Sequence, residues 1–356
     1  MSINSIKISH QSFHSINILR GVAALGVFWY HQQYGRVLAK YTNQSLFNLT
    51  DQFGSTYAVP LFFLISGFCI HLSSLGYLAE NRELNLKAYF TKRLKRIYPP
   101  YLIALLFAII INWLIKPSFY LGIKDFIVHL FVLQGFFEKS FNTINLVFWT
   151  ISIELAFYFL YPLFFFLRIK YALRYVIVII SIISTFSIVY FINVEYTQLV
   201  QRYFVLNLWF GWCMGAFTSD KIFLDFNFNW KKFLLLLYPL LGLLYLLVYL
   251  NKISVLVLDE LNILIWIGPL LFVCTNENWL HKNYNFLINL FVKIGLLSYS
   301  LYLLHQPLIM LKNFIIQRYI PVELGPYCQI LGFPVIIWLS WLHYNRVEKP
   351  FLSKKV

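Results

Sequence analysis

Asn17-Ile18-Leu19-Arg20-Gly21-Val22-Ala23-Ala24-Leu25-Gly26-Val27-Phe28-Trp29-Tyr30-His31 is an apolar run of helix length, with one cation near its start and one imidazole at its end. At about 100° and 1.5 Å per residue, His31 returns to the face of Arg20 roughly 16 Å further along, so both groups are expected to look into one channel. Between them Gly21, Ala23, Ala24 and Gly26 predict a surface that another helix or a thin ligand approaches closely. The structural alternative makes Arg20 a topology anchor at a membrane face and His31 an interfacial residue.

The rest of the chain extends this apolar character. Of its 356 residues 60% are hydrophobic and 12% are charged, well below the roughly 25% charged of a soluble domain. The reading is all-α: a polytopic integral membrane protein, one domain over 1–356 with a short polar segment 1–14 and a cytoplasmic tail 346–356. The 36 Phe and 25 Tyr suit membrane boundaries and sites that hold sugars or acyl chains. A net charge of +15 would suggest nucleic acid in a soluble protein, but the basic residues fall between apolar runs, so no nucleic-acid partner is expected and the contacts are with membrane lipids. Cys69, Cys213, Cys274 and Cys328 have no paired spacing for a metal or a disulfide framework, and no metal is expected. No cleavage site follows the first apolar run, which reads as a retained helix.

About ten spans are drawn: 15–36, 57–77, 98–116, 145–167, 173–193, 203–219, 233–251, 254–275, 294–315 and 326–345. Phe126 to Phe137 is too short to cross a hydrocarbon core about 30 Å thick and is expected to be re-entrant or interfacial. With that segment outside the count and both termini cytoplasmic, about two thirds of the 29 Lys and Arg fall on the cytoplasmic side. If it spans, fewer than half do, so the ten-span arrangement is preferred.

That arrangement places Arg20 near the inner face and His31 near the outer one. Ser66 and Gly67 fall close to mid-membrane, where a serine also bonds its own helix backbone. A cytoplasmic loop carries Lys87, Lys92, Arg93, Lys95 and Arg96; Arg93 and Arg96 share a helical face and suit bidentate phosphate contact, or serve as a lipid-headgroup anchor. Glu154 is the carboxylate lying well inside a long apolar run, where an unpaired charge costs at least about 2–3 kcal/mol. It needs a partner, either a buried arginine or a functional site. Asp259 and Glu260 read as rim residues. Ser298, Tyr302 and His305 share a face directed toward the outer half, as packing or as a binding wall, and Trp149 and Ser152 are further candidates for substrate contact.

Taken in order, Arg20 with His31, Phe62-Phe63-x-x-Ser66-Gly67, Arg93-x-x-Arg96 before Tyr98-Pro99-Pro100, Trp149-Thr150 with Glu154 and Phe157-Tyr158, Ser298-Tyr299-Ser300-Leu301-Tyr302-x-x-His305-x-Pro307, and Glu348-x-Pro350-Phe351 resemble the membrane acyltransferase family 3. The likeness runs from about residue 13 to residue 352. It implies a bacterial inner-membrane protein of about ten helices that transfers an acyl group, usually acetyl, from cytoplasmic coenzyme A to a hydroxyl of a carbohydrate at the outer face. The family's histidine carries over to His31, its first-helix arginine to Arg20 and its paired loop arginines to Arg93 and Arg96. Many relatives continue into an extracytoplasmic hydrolase-like domain, which this sequence is expected to lack; action alone, as a homo-oligomer, or by relay to an extracytoplasmic partner protein stays open.

A thioester donor such as acetyl-CoA has a phosphate-rich head and a narrow arm. Arg93, Arg96 and Arg20 supply cations, Ser66 lies beside the expected path, and the small-residue face of the first helix supplies the channel. His31 is the expected general base for a sugar hydroxyl, with Glu154 orienting it. A covalent intermediate on Ser66 or His31 is the other route. A glycolipid flippase or transporter would also need buried ions and a polar, aromatic cavity, though no internal repeat supports one.

Overall fold

The computed structural model describes residues 14–116, 118–193, 199–225, 227–283 and 285–352. The expected polar segment before residue 14 and the last four residues of the tail lie outside them. Along the chain come α1 (His14–Gln32), α2 (Tyr34–Thr42), α3 (Asn48–Thr56), α4 (Ala58–Leu72), α5 (Leu75–Ala79), α6 (Leu86–Ile115), α7 (Ile123–Leu130), α8 (Trp149–Lys170) and α9 (Leu173–Asn193). They are followed by α10 (Leu199–Arg202), α11 (Trp209–Phe223), α12 (Trp230–Tyr249), α13 (Val257–Leu264), α14 (Ile267–Thr275), α15 (Glu277–Lys282), α16 (Phe286–Leu296), α17 (Ser298–Tyr319) and α18 (Gly325–His343). No strand occurs among the described residues, and the chain is a polytopic helical membrane protein.

Seven described stretches are long and apolar enough to cross a membrane, and the pair α16 and α17, bent by 77°, makes an eighth if it counts as one span. The ten drawn from sequence also include α1 and α11. α1 carries Arg20 and His31, α11 has only 15 residues, and both are largely enclosed by other helices. α12 and α18 turn most of their apolar side chains outward, as lipid-facing helices do.

Several expected boundaries move for local reasons. The first span stops at Gln32 because Gln33 adopts a left-handed conformation (φ 56°) that starts α2. The loop expected to carry Arg93 and Arg96 is helical: α6 begins at Leu86, where the Asn85 side chain accepts a bond from Ala88 N (2.9 Å), a local end signal for the helix. The span 254–275 is two helices, α13 and α14, and 294–315 is divided at Leu297. Phe126 to Phe137 falls on the 8-residue α7 and the short 3-10 turns after it, too short to cross a bilayer.

Two close crossings fix the helices that build the site. A Cβ on Gly67 would come within 2.0 Å of Trp212 O, and one on Gly215 within 2.1 Å of Leu64 O, so α4 and α11 pack backbone to backbone. α1 and α16 do the same through Gly21 against Phe291 O (2.2 Å) and Gly295 against Asn17 O (1.8 Å). Small residues allow this approach, which substitutes for the hydrophobic drive that helices lack within lipid. Trp209, Trp212, Tyr161, Phe157 and Phe164 are fully buried where α4, α8 and α11 meet.

Candidate active site

α4, α8 and α17 each turn one stripe of side chains toward a common space. On α8 the stripe is Thr150, Glu154 and Tyr158 at four-residue spacing; on α4 it includes Phe62, Phe63, Ser66 and Cys69; on α17 it is Ser298, Tyr299 and Tyr302. α1 adds Arg20, and α6 adds Arg93 and Arg96. Together they line one cavity. From Val59 to Ile70 it follows α4 for about 16 Å, at 1.5 Å per residue.

Positive charge collects at one end. Arg93 is 7% exposed; its Nη2 donates to Ser73 Oγ (2.5 Å), and its buried Nε has no partner among the described residues. Arg20 donates from Nη1 to Asn17 Oδ1 (3.4 Å) and from Nη2 to Cys69 Sγ (3.3 Å). Arg96 lies in the field of Glu154 and Glu348. Glu154 Oε1 accepts from Tyr158 OH (2.5 Å) and Ser66 Oγ (3.4 Å), and Glu348 Oε2 accepts from Ser300 Oγ (2.6 Å). Among the described residues, none of the three arginines makes an ion pair within 4 Å, whereas Arg168 and Arg202 do. Three guanidiniums against two carboxylates leave a surplus positive charge around the cavity, and partly desolvated charge without a close partner is costly unless a ligand supplies one.

The imidazole lies elsewhere. His31 does not line the cavity; its Nδ1 is 3.0 Å from Val27 O and 3.1 Å from His305 Nε2, and His305 Nδ1 is 3.0 Å from Leu301 O. Assigned from these bonds, His305 carries its proton on Nδ1 and His31 shares its Nδ1 proton between Val27 O and His305, which leaves His31 Nε2 with a free lone pair. The partner expected to orient this ring, Glu154, is committed to Tyr158 and Ser66, and a second histidine takes that place. The buried Tyr302 ring stands between the two parts. It is 5.7 Å from the His305 ring and 5.9 Å from the Phe62 ring at the cavity wall, and its hydroxyl accepts from Thr150 Oγ1 (2.8 Å). Arg20 and His31 therefore do not look into one open channel. The small-residue face of α1 is occupied as well, since Gly21 meets α16 and Gly26 meets Phe53 and Ala58. The cavity lies along α4 and α8 instead.

A family model described as an acyltransferase domain, acyltransferase family 3, matches residues 13–345. The chain belongs to this family. It is 25% identical over 95% of its length to a protein named "Putative O-acetyltransferase SACOL0978" from Staphylococcus aureus (strain COL), covering 57% of that protein. It is 24% identical over 94% of its length to O-acetyltransferase OatA of Staphylococcus aureus (strain NCTC 8325 / PS 47), covering 56% of it. The chain thus spans little more than half the length of these relatives. No solved structure matches it.

Within this family member, the cavity gathers Arg20, Ser66, Arg93, Arg96, Glu154 and Tyr302 from the residues singled out in the sequence. His31 and His305 form their own pair. Ser152 lies off the α8 stripe, because two residues turn a helix by about 200°; its Oγ accepts from Gly135 N (3.1 Å). Trp149 packs against Phe141 at 5.2 Å and Tyr203 at 4.2 Å and faces a neighbouring cavity rather than this one. The sequence reading passed over Thr150 and Tyr158 as site residues, although their spacing of four on either side of Glu154 marks them. Glu348 carried no signal beyond its motif, since its approach to Ser300 and Arg96 depends on how the chain turns after α18.

Proposed function

We propose that the protein transfers an acetyl group from the thioester of coenzyme A to a hydroxyl of a carbohydrate on the opposite side of a bacterial inner membrane, with the Arg93 end of the cavity cytoplasmic. One observation carries this reading: three arginines without direct ion pairs surround one end of a cavity whose wall residue Tyr302 also packs against a histidine pair with a free nitrogen. A phosphate-rich donor satisfies the first feature, and an alcohol to be deprotonated satisfies the second. Arg20, Arg93 and Arg96 hold the donor through its negative charge, with Glu154 and Glu348 fixing how much positive charge the cavity shows. At the far end His31 Nε2 takes the hydroxyl proton as the oxygen bonds the carbonyl carbon. The C–S bond breaks, and the imidazolium returns the proton to the departing thiolate. His305 holds the His31 ring through Nδ1, in the manner of the third member of a triad.

The test is acetyl transfer from labelled acetyl-CoA in membranes that contain the protein. His31→Ala is expected to lower transfer by about 10²–10⁴-fold, the usual span for a lost general base, with acetyl-CoA binding retained. Near-normal transfer in this variant would end the assignment.

A further inference from the structure

A second cavity lies against the first, and the two share Val59 and Phe63 as walls. On α4, Val59 is at the end opposite Ser73, the partner of Arg93, so the second cavity adjoins the end of the first that is remote from the arginines. Its polar wall is built differently. Arg202 Nε and Nη2 donate to Asp259 Oδ2 and Oδ1 (2.8 and 3.0 Å). Asn262, 3% exposed, accepts from Tyr245 OH at Oδ1 (2.7 Å), which leaves its amide nitrogen without a partner among the described residues. Ser55 and Thr56 also line this space. Tyr203, also in the wall, lies within electrostatic reach of Tyr30 and Tyr302, and the Tyr30 ring is 5.0 Å from His31. The second cavity and the histidine pair therefore occupy the same end of the molecule.

Its chemistry is the converse of the first cavity's. The one cation and one anion cancel, so nothing there selects a phosphate or a carboxylate. Hydroxyl, amide, guanidinium and carboxylate groups are instead set close together, an alternation of donors and acceptors that matches the neighbouring hydroxyls of a neutral polyol. We infer that this cavity seats the ring of the acceptor sugar, with the hydroxyl to be acylated turned toward the Val59–Phe63 partition. The inference rests on the acyl-transfer reading of the first cavity. In the step it serves, the acceptor oxygen forms a bond to the thioester carbonyl carbon, the C–S bond breaks, and the hydroxyl proton ends on the coenzyme A thiol, so the products are one ester and one free thiol.

Membranes containing the full chain, supplied with radiolabelled acetyl-CoA, give two readouts: label entering the glycan fraction and the dissociation constant for acetyl-CoA. Asn262→Ala, and separately the charge-neutral pair Arg202→Gln with Asp259→Asn, are expected to cut glycan labelling about tenfold or more, as losing one or two hydrogen bonds to a hydroxyl does. The acetyl-CoA dissociation constant should change by less than about twofold, because no donor contact is lost. Full glycan labelling in Asn262→Ala and in the double variant overturns the assignment; so does a parallel loss of acetyl-CoA binding, which would make the cavity part of the donor site. If the double variant does not accumulate, Asn262→Ala, which removes no charge, decides alone. Failure of the unaltered protein to bind acetyl-CoA would instead sink the acyl-transfer reading itself.

Discussion

Arg168 and Arg202 each hold a carboxylate through two hydrogen bonds, to Asp220 and Asp259, whereas Arg20, Arg93 and Arg96 surround a cavity and make no direct ion pair among the described residues. The difference is what each guanidinium was given to neutralise it. Asp220, 2% exposed, also meets His71 Nε2 at 3.3 Å, while His71 Nδ1 meets Tyr161 OH at 3.0 Å, so the network joins α4, α8 and α11. Charges satisfied within the fold hold helices together; charges left with hydroxyl, amide and thiol partners keep their strongest interaction for something that enters.

The contrast is broken most directly on the satisfied side. Asp220→Ala strands Arg168 and His71 in the interior and should cost about 3–5 kcal/mol of stability, the usual effect of removing one partner of a buried pair; the measurement is the thermal midpoint in detergent. An unchanged midpoint would mean that this network is not structural. On the open side, Arg93→Ala should leave that midpoint nearly unmoved while weakening acetyl-CoA binding by about 2 kcal/mol, or roughly thirtyfold, as for a lost charge-assisted contact. Arg93→Lys should recover only part of it, since lysine lacks the planar fork. Glu154→Gln keeps the shape of the group beside Tyr158 and Ser66 but removes a negative charge, so an anionic donor should bind about threefold more tightly at the effective dielectric of a partly wet site. Weaker binding there would place the carboxylate in direct contact with the donor. Ser152→Ala has the smallest expected effect: about 1 kcal/mol of stability from the lost Gly135 N–H bond, with acetyl transfer unaltered.

How much of the site is legible in sequence depends on how local each relationship is. Glu154 stands out because a carboxylate within an apolar run is expensive wherever it occurs, and Thr150 and Tyr158 follow from it by helical spacing. Arg93 and Arg96 share a face by the same arithmetic, although the segment that carries them is helix rather than loop. The pairing of His31 with His305 is not legible in this way. Two histidines 274 positions apart meet only because α1 and α17 pack side by side. The channel expected along α1 fails for a related reason: glycine and alanine announce a close approach without saying whether a helix or a ligand makes it, and here α3 and α16 fill the space.

By itself the sequence determined the class of the protein, its helical character and the chemical types at the site, because apolarity, helical period and the cost of burying charge act over a few residues at a time. Which cations keep an ion-pair partner, where the cavity runs, and that Tyr302 stands between the cavity and His305 were decided only when α4, α8 and α17 came together. Those facts rest on distances between residues far apart in the chain, and such distances are set by how helices cross, which no local pattern encodes.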